Sequence, residues 1–299
     1  MIRGPVIAVV VVYHPKAGEL EASIKSLLKN FKKVVVVWNG PHPFKIPACL
    51  KVRGIHVLGM RSNVGLAKGL NEGIEKAFKL GAAWVYLSDQ DSILPLDFKY
   101  RAIKYSHSIP KPFKAAAIGP NYFNQITQEE GRIIRSEFLR RRRDRPNKNK
   151  PYIETDYVIS SGSFISKTAL NEIGLMDSKL FIDLIDVEWG LRAKNKGYKF
   201  FVLPKVRLDH KLGDAPFIIF GKTFPIHPPL RIYYYFRNSI HLYGKDYISL
   251  NWKLIDLVRN IFRFFFYVIL IKPRIQYLKM ILLGICHGLF GRMGKLKNS

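Results

Sequence analysis

Four short apolar runs, Val6–Tyr13, Val34–Val37, Ile55–Leu58 and Trp84–Leu87, constrain this chain more than anything else in it. Each is apolar on both faces, the pattern of a strand buried in a parallel-type sheet. Between the first two, Leu20, Ile24, Leu27 and Leu28 recur at the spacing of one helical face. His14-Pro15 ends the first run, and Trp38-Asn39-Gly40-Pro41 closes the second with a turn signal. After Arg61 to Asn71 a further helix is expected to reach about Leu80. This alternation predicts an α/β fold, a mostly parallel central sheet flanked by helices.

The fourth run ends in Ser88-Asp89-Gln90-Asp91-Ser92. Carboxyl ends of strands in open α/β sheets face the ligand crevice, so these carboxylates are expected where a nucleotide would be held. Two carboxylates separated by one residue can share Mg²⁺ or Mn²⁺ and leave its other positions to diphosphate oxygens and water. The same pattern also serves a plain turn or helix cap.

Further along, Ala115–Gly119 and Tyr157–Ile165 read as strands, and Lys167–Ile173 as a helix ending at Gly174. Residues 132–150 are strongly basic, with Arg140-Arg141-Arg142-Arg143 at their centre, and read as a mobile loop. Such a run is either a solvated segment or an electrostatic clamp on phosphates or lipid headgroups. Phe181 to Arg192 gathers Asp183, Asp186, Glu188, Trp189 and an arginine at one helix start. Asp186 reads either as an N-cap or as a functional carboxylate. Asp209-His210 follows, and then Arg231 and Arg237 set among aromatics, where arginines can grip a diphosphate.

Taken in order, these pieces resemble the family 2 glycosyltransferases of the GT-A fold, and among them the rhamnosyltransferases of cell-surface polysaccharide synthesis. The resemblance runs from about residue 6 to 245. Its motifs are Asn63-x-Gly65…Asn71, Leu87-Ser88-Asp89-Gln90-Asp91-Ser92, Ser160-Ser161-Gly162-Ser163, Phe181-Ile182-Asp183…Asp186-Val187-Glu188-Trp189-x-Leu191-Arg192, His210-x-Leu212-Gly213 and Arg231-x-Tyr233-Tyr234…Arg237-Asn238. It implies that Asp89 contacts the ribose, and that Asp91, with His210, holds a divalent metal, Mg²⁺ or Mn²⁺. Asp186 is implied as the base that deprotonates the acceptor hydroxyl. Arg61 and Asn63 are expected against the nucleotide, and Arg231 and Arg237 against the leaving diphosphate. Asp183, Glu188 and Trp189 are expected on the acceptor side.

One departure touches the donor. The family's usual Asp after the second strand is replaced by Trp38, leaving Asn39 to accept from the base and Trp38 to stack on it. With one base and no protein nucleophile, the resemblance implies single displacement with inversion. The donor is expected to be dTDP-rhamnose, with a UDP- or GDP-hexose as the alternative.

Charge enters at this point. Lys and Arg number 49 against 22 acidic residues, a net charge of +27 in 299 residues, which implies an anionic partner. Nucleic acid is disfavoured, because Asp89, Asp91, Asp183, Asp186 and Glu188 would repel a phosphate backbone. A non-catalytic membrane scaffold is the other alternative. Cys49 and Cys286 lie far apart, implying a reducing compartment, and no signal peptide is read at the N-terminus. The expected domain split is a catalytic unit at 1–245 and a helical region at 246–299. The apolar stretches within Ile255–Ile271 and Met280–Phe290 fall short of the ~18–20 residues of a spanning helix. Edged by Lys and Arg, they read as helices lying on an anionic membrane or as a pair packed on the catalytic unit. A lipid-linked or polysaccharide acceptor and a cytoplasmic, peripheral place on the inner membrane face complete the expectation.

Overall fold

The computed structural model describes residues 1–41, 46–125, 128–138, 140–210, 215–219 and 222–297. β1 (Val6–Val12), α1 (Ala17–Asn30), β2 (Val34–Trp38), β3 (Ile55–Gly59), α2 (Leu66–Lys79) and β4 (Trp84–Ser88) follow the expected alternation. Then come α3 (Phe98–Ser106), β5 (Ala115–Asn124), β6 (Glu129–Glu130), β7 (Ile133–Glu137), β8 (Arg140–Asp144), β9 (Ile153–Thr155) and β10 (Phe164–Ser166). α4 (Lys167–Ile173), α5 (Ile185–Asn195), β11 (Lys199–His210), β12 (Ala215–Ile219) and β13 (Lys222–Ile226) lead to α6 (Pro229–Tyr243), α7 (Leu250–Phe265) and α8 (Arg274–Leu289).

The central sheet runs β3-β2-β1-β4-β10-β5-β11-β9, with β6 on β5. β3, β2, β1 and β4 pair in parallel, as do β5 and β11, whereas β10 is antiparallel to both of its neighbours. Period-two alternation divides the apolar strand residues between two faces. Val9, Val35 and Val37 face Leu70, Ile74 and Trp189 under α2 and α5. Val10, Val34 and Val36 face Leu20, Ile24, Leu27 and Phe98 under α1 and α3. Helices therefore cover both faces, which is why the strands tolerate no polar side.

Three local expectations change. The basic stretch at 132–150 holds a β-hairpin, β7 against β8, instead of a loop throughout. Strand character in Tyr157–Ile165 is confined to its last residues, because Ser160 to Gly162 form a turn in which Gly162 has φ 81°. Asp186 is not the cap of α5. Leu184, in the left-handed region, holds that position, and Asp186 lies in the first turn.

The C-terminal helix α8 turns back onto the preceding part of the chain. α8 packs along α6 through Gly284 and Gly288, where a Cβ would come within 2.6 Å of the Tyr233 carbonyl oxygen and 2.8 Å of the Arg237 carbonyl oxygen. Tyr233 Oη and His287 Nδ1 lie 2.8 Å apart across the same seam. Gly288→Val should therefore force α8 off α6 at a cost of about 1–3 kcal/mol. A melting temperature unchanged from wild type would show that the seam does not support the fold. Among the described residues no helix is long and apolar enough to cross a membrane.

Candidate active site

A cleft of about 600 Å³ opens at the carboxyl ends of β1, β2 and β4. Tyr13 follows β1, Asn39 follows β2, and Asp89, Gln90 and Asp91 follow β4, so successive crossovers bring distant residues to one rim. Asn63, Gly65 and Leu66 form one wall, facing Phe181, Ile182, Leu230, Arg231 and Tyr234. Gln90 Oε1 accepts from the Tyr13 N–H at 2.8 Å, which fixes the Asp89–Asp91 turn to the end of β1.

Asn39 and Asn63 hold the loop before α2. Asn39 Oδ1 accepts from the Val64 N–H at 2.8 Å, and its Nδ2 donates to Asn63 Oδ1 and the Gly65 carbonyl, each at 3.2 Å. Asn63 Oδ1 also accepts from the Gly65 N–H at 2.9 Å. Gly65 is required here, since its φ is +87° and a Cβ would lie 2.5 Å from the Phe181 ring. The Leu66 and Ala67 N–H groups donate to the Phe181 carbonyl at 2.7 and 3.3 Å. These helix-start donors, a common anion seat, are thereby committed to the protein's own backbone.

Phe181, Asp183 and Leu184 all have positive φ, an uncommon concentration for residues bearing a Cβ. The loop is held from behind. Asn238 Nδ2 faces the carbonyls of Leu180, Ile182 and Asp183 at 3.1, 2.8 and 2.9 Å. Arg237 Nη2 donates to the Leu180 carbonyl at 2.9 Å and to Asn238 Oδ1 at 2.8 Å. In front of the loop, Asp183 pairs with Arg231 through Oδ1–Nη2 at 2.5 Å and Oδ2–Nε at 3.3 Å. The strained loop thus aims Arg231 into the cleft and starts α5, which carries Asp186.

Asp186 is half-buried and is not among the residues lining the cleft; the Ser160 N–H donates to its Oδ2 at 3.2 Å. Loss of solvent pushes its carboxyl up to about 6, and the Asp183 and Asp89 charges add to this, while N–H donors from Ser160 and its own backbone oppose it. A carboxyl poised near neutrality is suited to taking a proton.

The other expected residues are distributed as follows. Asp89, Asp91, Asn39, Asn63 and Arg231 line the cleft. Arg61 is exposed on the loop after β3 and does not line it. Trp38 packs into the core on the α1 side of the sheet, so Asn39 is the cleft-facing residue at the end of β2. Arg237 is fully buried and engaged by carbonyls, so it braces the 180–184 loop instead of reaching a diphosphate. Glu188 and Trp189 are also interior: Glu188 pairs with Arg192, and Trp189 Nε1 donates to the Gly174 carbonyl at 2.8 Å. The side chain of His210 and residues 211–214 lie outside the described residues.

Lys295 joins the cleft lining without any sequence signal. The chain after α8 folds back, with the Gly294 N–H donating to the Lys179 carbonyl at 2.9 Å and the Leu296 N–H to Tyr234 Oη at 2.9 Å. Only tertiary packing brings this cation to the cleft that Arg231 also lines.

Asp89 and Asp91 fit a hard divalent cation. They offer oxygen donors on an irregular segment, at a cleft with room for the remaining ligands. Among the described residues no three His, Cys, Asp or Glu side chains converge as a closed cage. An open set of carboxylates completed by substrate oxygens is the arrangement expected for Mg²⁺ or Mn²⁺ bound with a diphosphate.

A helix-flanked, mostly parallel sheet with an acidic turn at its ligand edge defines a nucleotide-sugar transferase of the GT-A type. Residues 8–174 match Glycosyl transferase family 2, and the chain belongs to that family. It is 29% identical over 289 residues, 96% of each chain, to the dTDP-rhamnosyl transferase RfbF of Shigella flexneri. The fold is similar to S. aureus TarS 1-349, with a TM-score of 0.58 at 14% identity over 97% of this chain and 82% of that one. It is also similar to GalNAc-T7 crystallised with UDP, GalNAc and Mn²⁺, with a TM-score of 0.55 at 14% identity, covering 86% of this chain and 54% of that one. The protein is a glycosyltransferase.

Proposed function

We infer that this enzyme moves rhamnose from dTDP-rhamnose onto a hydroxyl of a lipid-linked or polysaccharide acceptor, with inversion and with a divalent metal. The observation that carries the reading is the position of Asp186. It is a half-buried carboxyl raised to about 6, within electrostatic reach of Asp183 and Asp89 and separate in the chain from the Asp89–Asp91 turn. The relative named a dTDP-rhamnosyl transferase supports the donor.

In the proposed reaction the acceptor hydroxyl gives its proton to Asp186 as its oxygen attacks the anomeric carbon. The bond from that carbon to the diphosphate oxygen breaks on the opposite face, and the electron pair leaves with the nucleoside diphosphate. Arg231, oriented by Asp183, and Lys295 stabilise the negative charge that gathers there. Mg²⁺ or Mn²⁺ held by Asp91, with Asp89 beside it, would neutralise part of the same charge. Phe181, Ile182 and Leu230 present apolar surface that limits water around the reacting carbon.

The proposed setting is an anionic membrane surface on the cytoplasmic side. Leu254, Leu257, Val258, Ile261, Phe262 and Phe265 stand exposed along α7 in a chain of net charge +27. An exposed apolar helix face together with excess basic charge supports interfacial binding.

Thermal stabilisation by nucleotide sugars tests the donor and the metal together. At a concentration near 100 Kd, a ligand of the folded state contributes about 2.7 kcal/mol, a shift of several degrees. The expected result is a shift with dTDP-rhamnose that needs Mn²⁺ or Mg²⁺ and disappears in Asp91→Ala. A shift confined to a UDP- or GDP-sugar would replace the donor assignment, and a metal-independent shift would remove Asp91 from its role. Inversion is read separately, from the anomeric configuration of the product.

A further inference from the structure

The hairpin β7–β8 and helix α7 bring together arginines that the donor cleft does not use. Arg141 and Arg143 are two residues apart on β8 and so share a face, while Arg259 and Arg263 are four apart on α7 and share another. The Asn251 side chain, on the first turn of α7, donates to the Glu137 carbonyl at 2.8 Å and ties helix to hairpin. Aromatic rings lie under two of the guanidinium groups: Tyr157 at 5.4 Å from Arg141, and Tyr235 at 3.8 Å from Arg263. Arg142, on the opposite face of β8, is neutralised by Asp144 at 2.8 Å and by Glu137.

The arginines facing α7 are compensated only in part: the buried Asp256 offsets some of the charge at Arg141, and Arg263 Nη1 donates to Asn260 Oδ1 at 2.6 Å. Desolvation pushes the Arg141 guanidinium down to about 10, and the Arg259 and Arg143 charges add to the effect. Arg143 is likewise lowered, by partial desolvation first and then by Arg259. Asp256, a single carboxylate beside these cations, is held by Tyr243 Oη and Asn260 Nδ2, each at 3.1 Å. Arg132, the fifth cation to reach the cluster, lies 3.6 Å from the exposed Glu129. Among the described residues, Arg141 Nε and Arg259 Nη1 are buried with no hydrogen-bond partner. Converging cations with unused donors destabilise a fold unless an anion joins them. Guanidinium forks match phosphate oxygens in bidentate fashion.

We propose that Arg141, Arg143, Arg259 and Arg263 form a second anion site, separate from the donor cleft, that binds a phosphate or diphosphate group. Its place in the fold gives that group a use. Tyr157, beneath Arg141, starts the segment that reaches Ser160, whose N–H holds Asp186. A diphosphate seated on the arginines would hold the attached sugar toward the base, a consequence that rests on the transfer reading above. The apolar face of α7, on the same helix as Arg259 and Arg263, suits the hydrocarbon of a lipid headgroup's owner.

Calorimetric titration of the full chain, its cleft saturated with dTDP and Mg²⁺, tests the site with farnesyl diphosphate, inorganic pyrophosphate and farnesol. The expected result is diphosphate binding that weakens at least tenfold in the double variant Arg141→Gln, Arg259→Gln, with dTDP affinity unchanged. Farnesyl diphosphate tighter than pyrophosphate would assign the site to a lipid headgroup, and equal affinities to a free anion. Diphosphate binding unaffected by the double variant, or farnesol binding as well as farnesyl diphosphate, would overturn the proposal. Without ligand, the double variant should melt at or above the wild-type temperature, because it relieves repulsion. A lower melting temperature would mark the cluster as structural and overturn the site. Arg143→Gln, at the exposed rim, gives the same reading with a smaller loss if the double variant fails to fold. Failure of dTDP to bind, with the arginine-dependent arm intact, would count against the transfer reading and leave this site standing.

Discussion

Asp186→Asn should lower transfer by about 10²–10⁴-fold, the usual contribution of a general base, while leaving donor binding in place. The same substitution should make the protein more stable at neutral pH. In the unfolded chain the carboxyl titrates near 3.8, and in the folded protein near 6. Between these values the folded state binds the proton more tightly, so stability falls as pH rises through that window and stays lowered above it. The charged side chain therefore destabilises the fold by up to about 3 kcal/mol above pH ~6, a penalty that Asn does not carry. Asn keeps an oxygen to accept from the Ser160 N–H, so the local hydrogen bond survives.

Two measurements separate this role from a structural one. Melting temperatures of the two proteins should agree near pH 4 and diverge as pH rises, with the variant higher. For the wild type, kcat/KM should fall tenfold per pH unit below about 6, as the base becomes protonated. A variant less stable than wild type at pH 7, or one that retains transfer, would remove Asp186 as the base. Stability given up at the residue that does the chemistry is the general signature of a functional site.

What the sequence disclosed follows from how each signal arises. Val6–Tyr13, Val34–Val37 and Trp84–Leu87 are apolar on both faces, and three such runs alternating with a helical pattern are what a covered parallel sheet requires. The acidic turn was legible for the same reason, since Asp89 and Asp91 directly follow β4. The hairpin β7–β8 was hidden because charged residues occupy both of its faces, and alternation of arginine with arginine has no contrast. Helix α3 went unread because its buried residues, Phe98, Ala102 and Ser106, give only a faint apolar stripe. Arg231 and Arg237 looked alike in sequence. Their fates differ because Arg231 faces the cleft, while Arg237, on the same helix, turns toward the Leu180 and Gly294 carbonyls. Lys295 belongs to the site only because α8 reverses the chain along α6.

Glu188→Ala should cost about 3–5 kcal/mol of folding stability and leave transfer per folded molecule near wild type. A cluster of carboxylates at a helix start reads as one functional group in sequence, but Asp186 and Glu188 are separated by the helical turn. Glu188 is 1% exposed and accepts from Arg192 Nε at 2.8 Å, Arg192 Nη2 at 3.0 Å and Tyr247 Oη at 2.6 Å. Arg192 also donates to the Ile173 and Leu175 carbonyls at 2.9 and 2.8 Å, and so anchors the end of α4 to α5. Removing the carboxylate leaves a largely buried guanidinium with no counter-charge, which is the costly half of breaking a buried pair. The Tyr247 phenol, raised by desolvation and by this hydrogen bond, would lose its acceptor at the same time. Removing both charges should cost less than the separate losses added together, so Glu188→Ala combined with Arg192→Met should recover part of the stability. Denaturant melts of the single and double variants give this coupling directly. Additive losses would show that the pair is not coupled, and a fall in kcat without loss of stability would return Glu188 to the acceptor site.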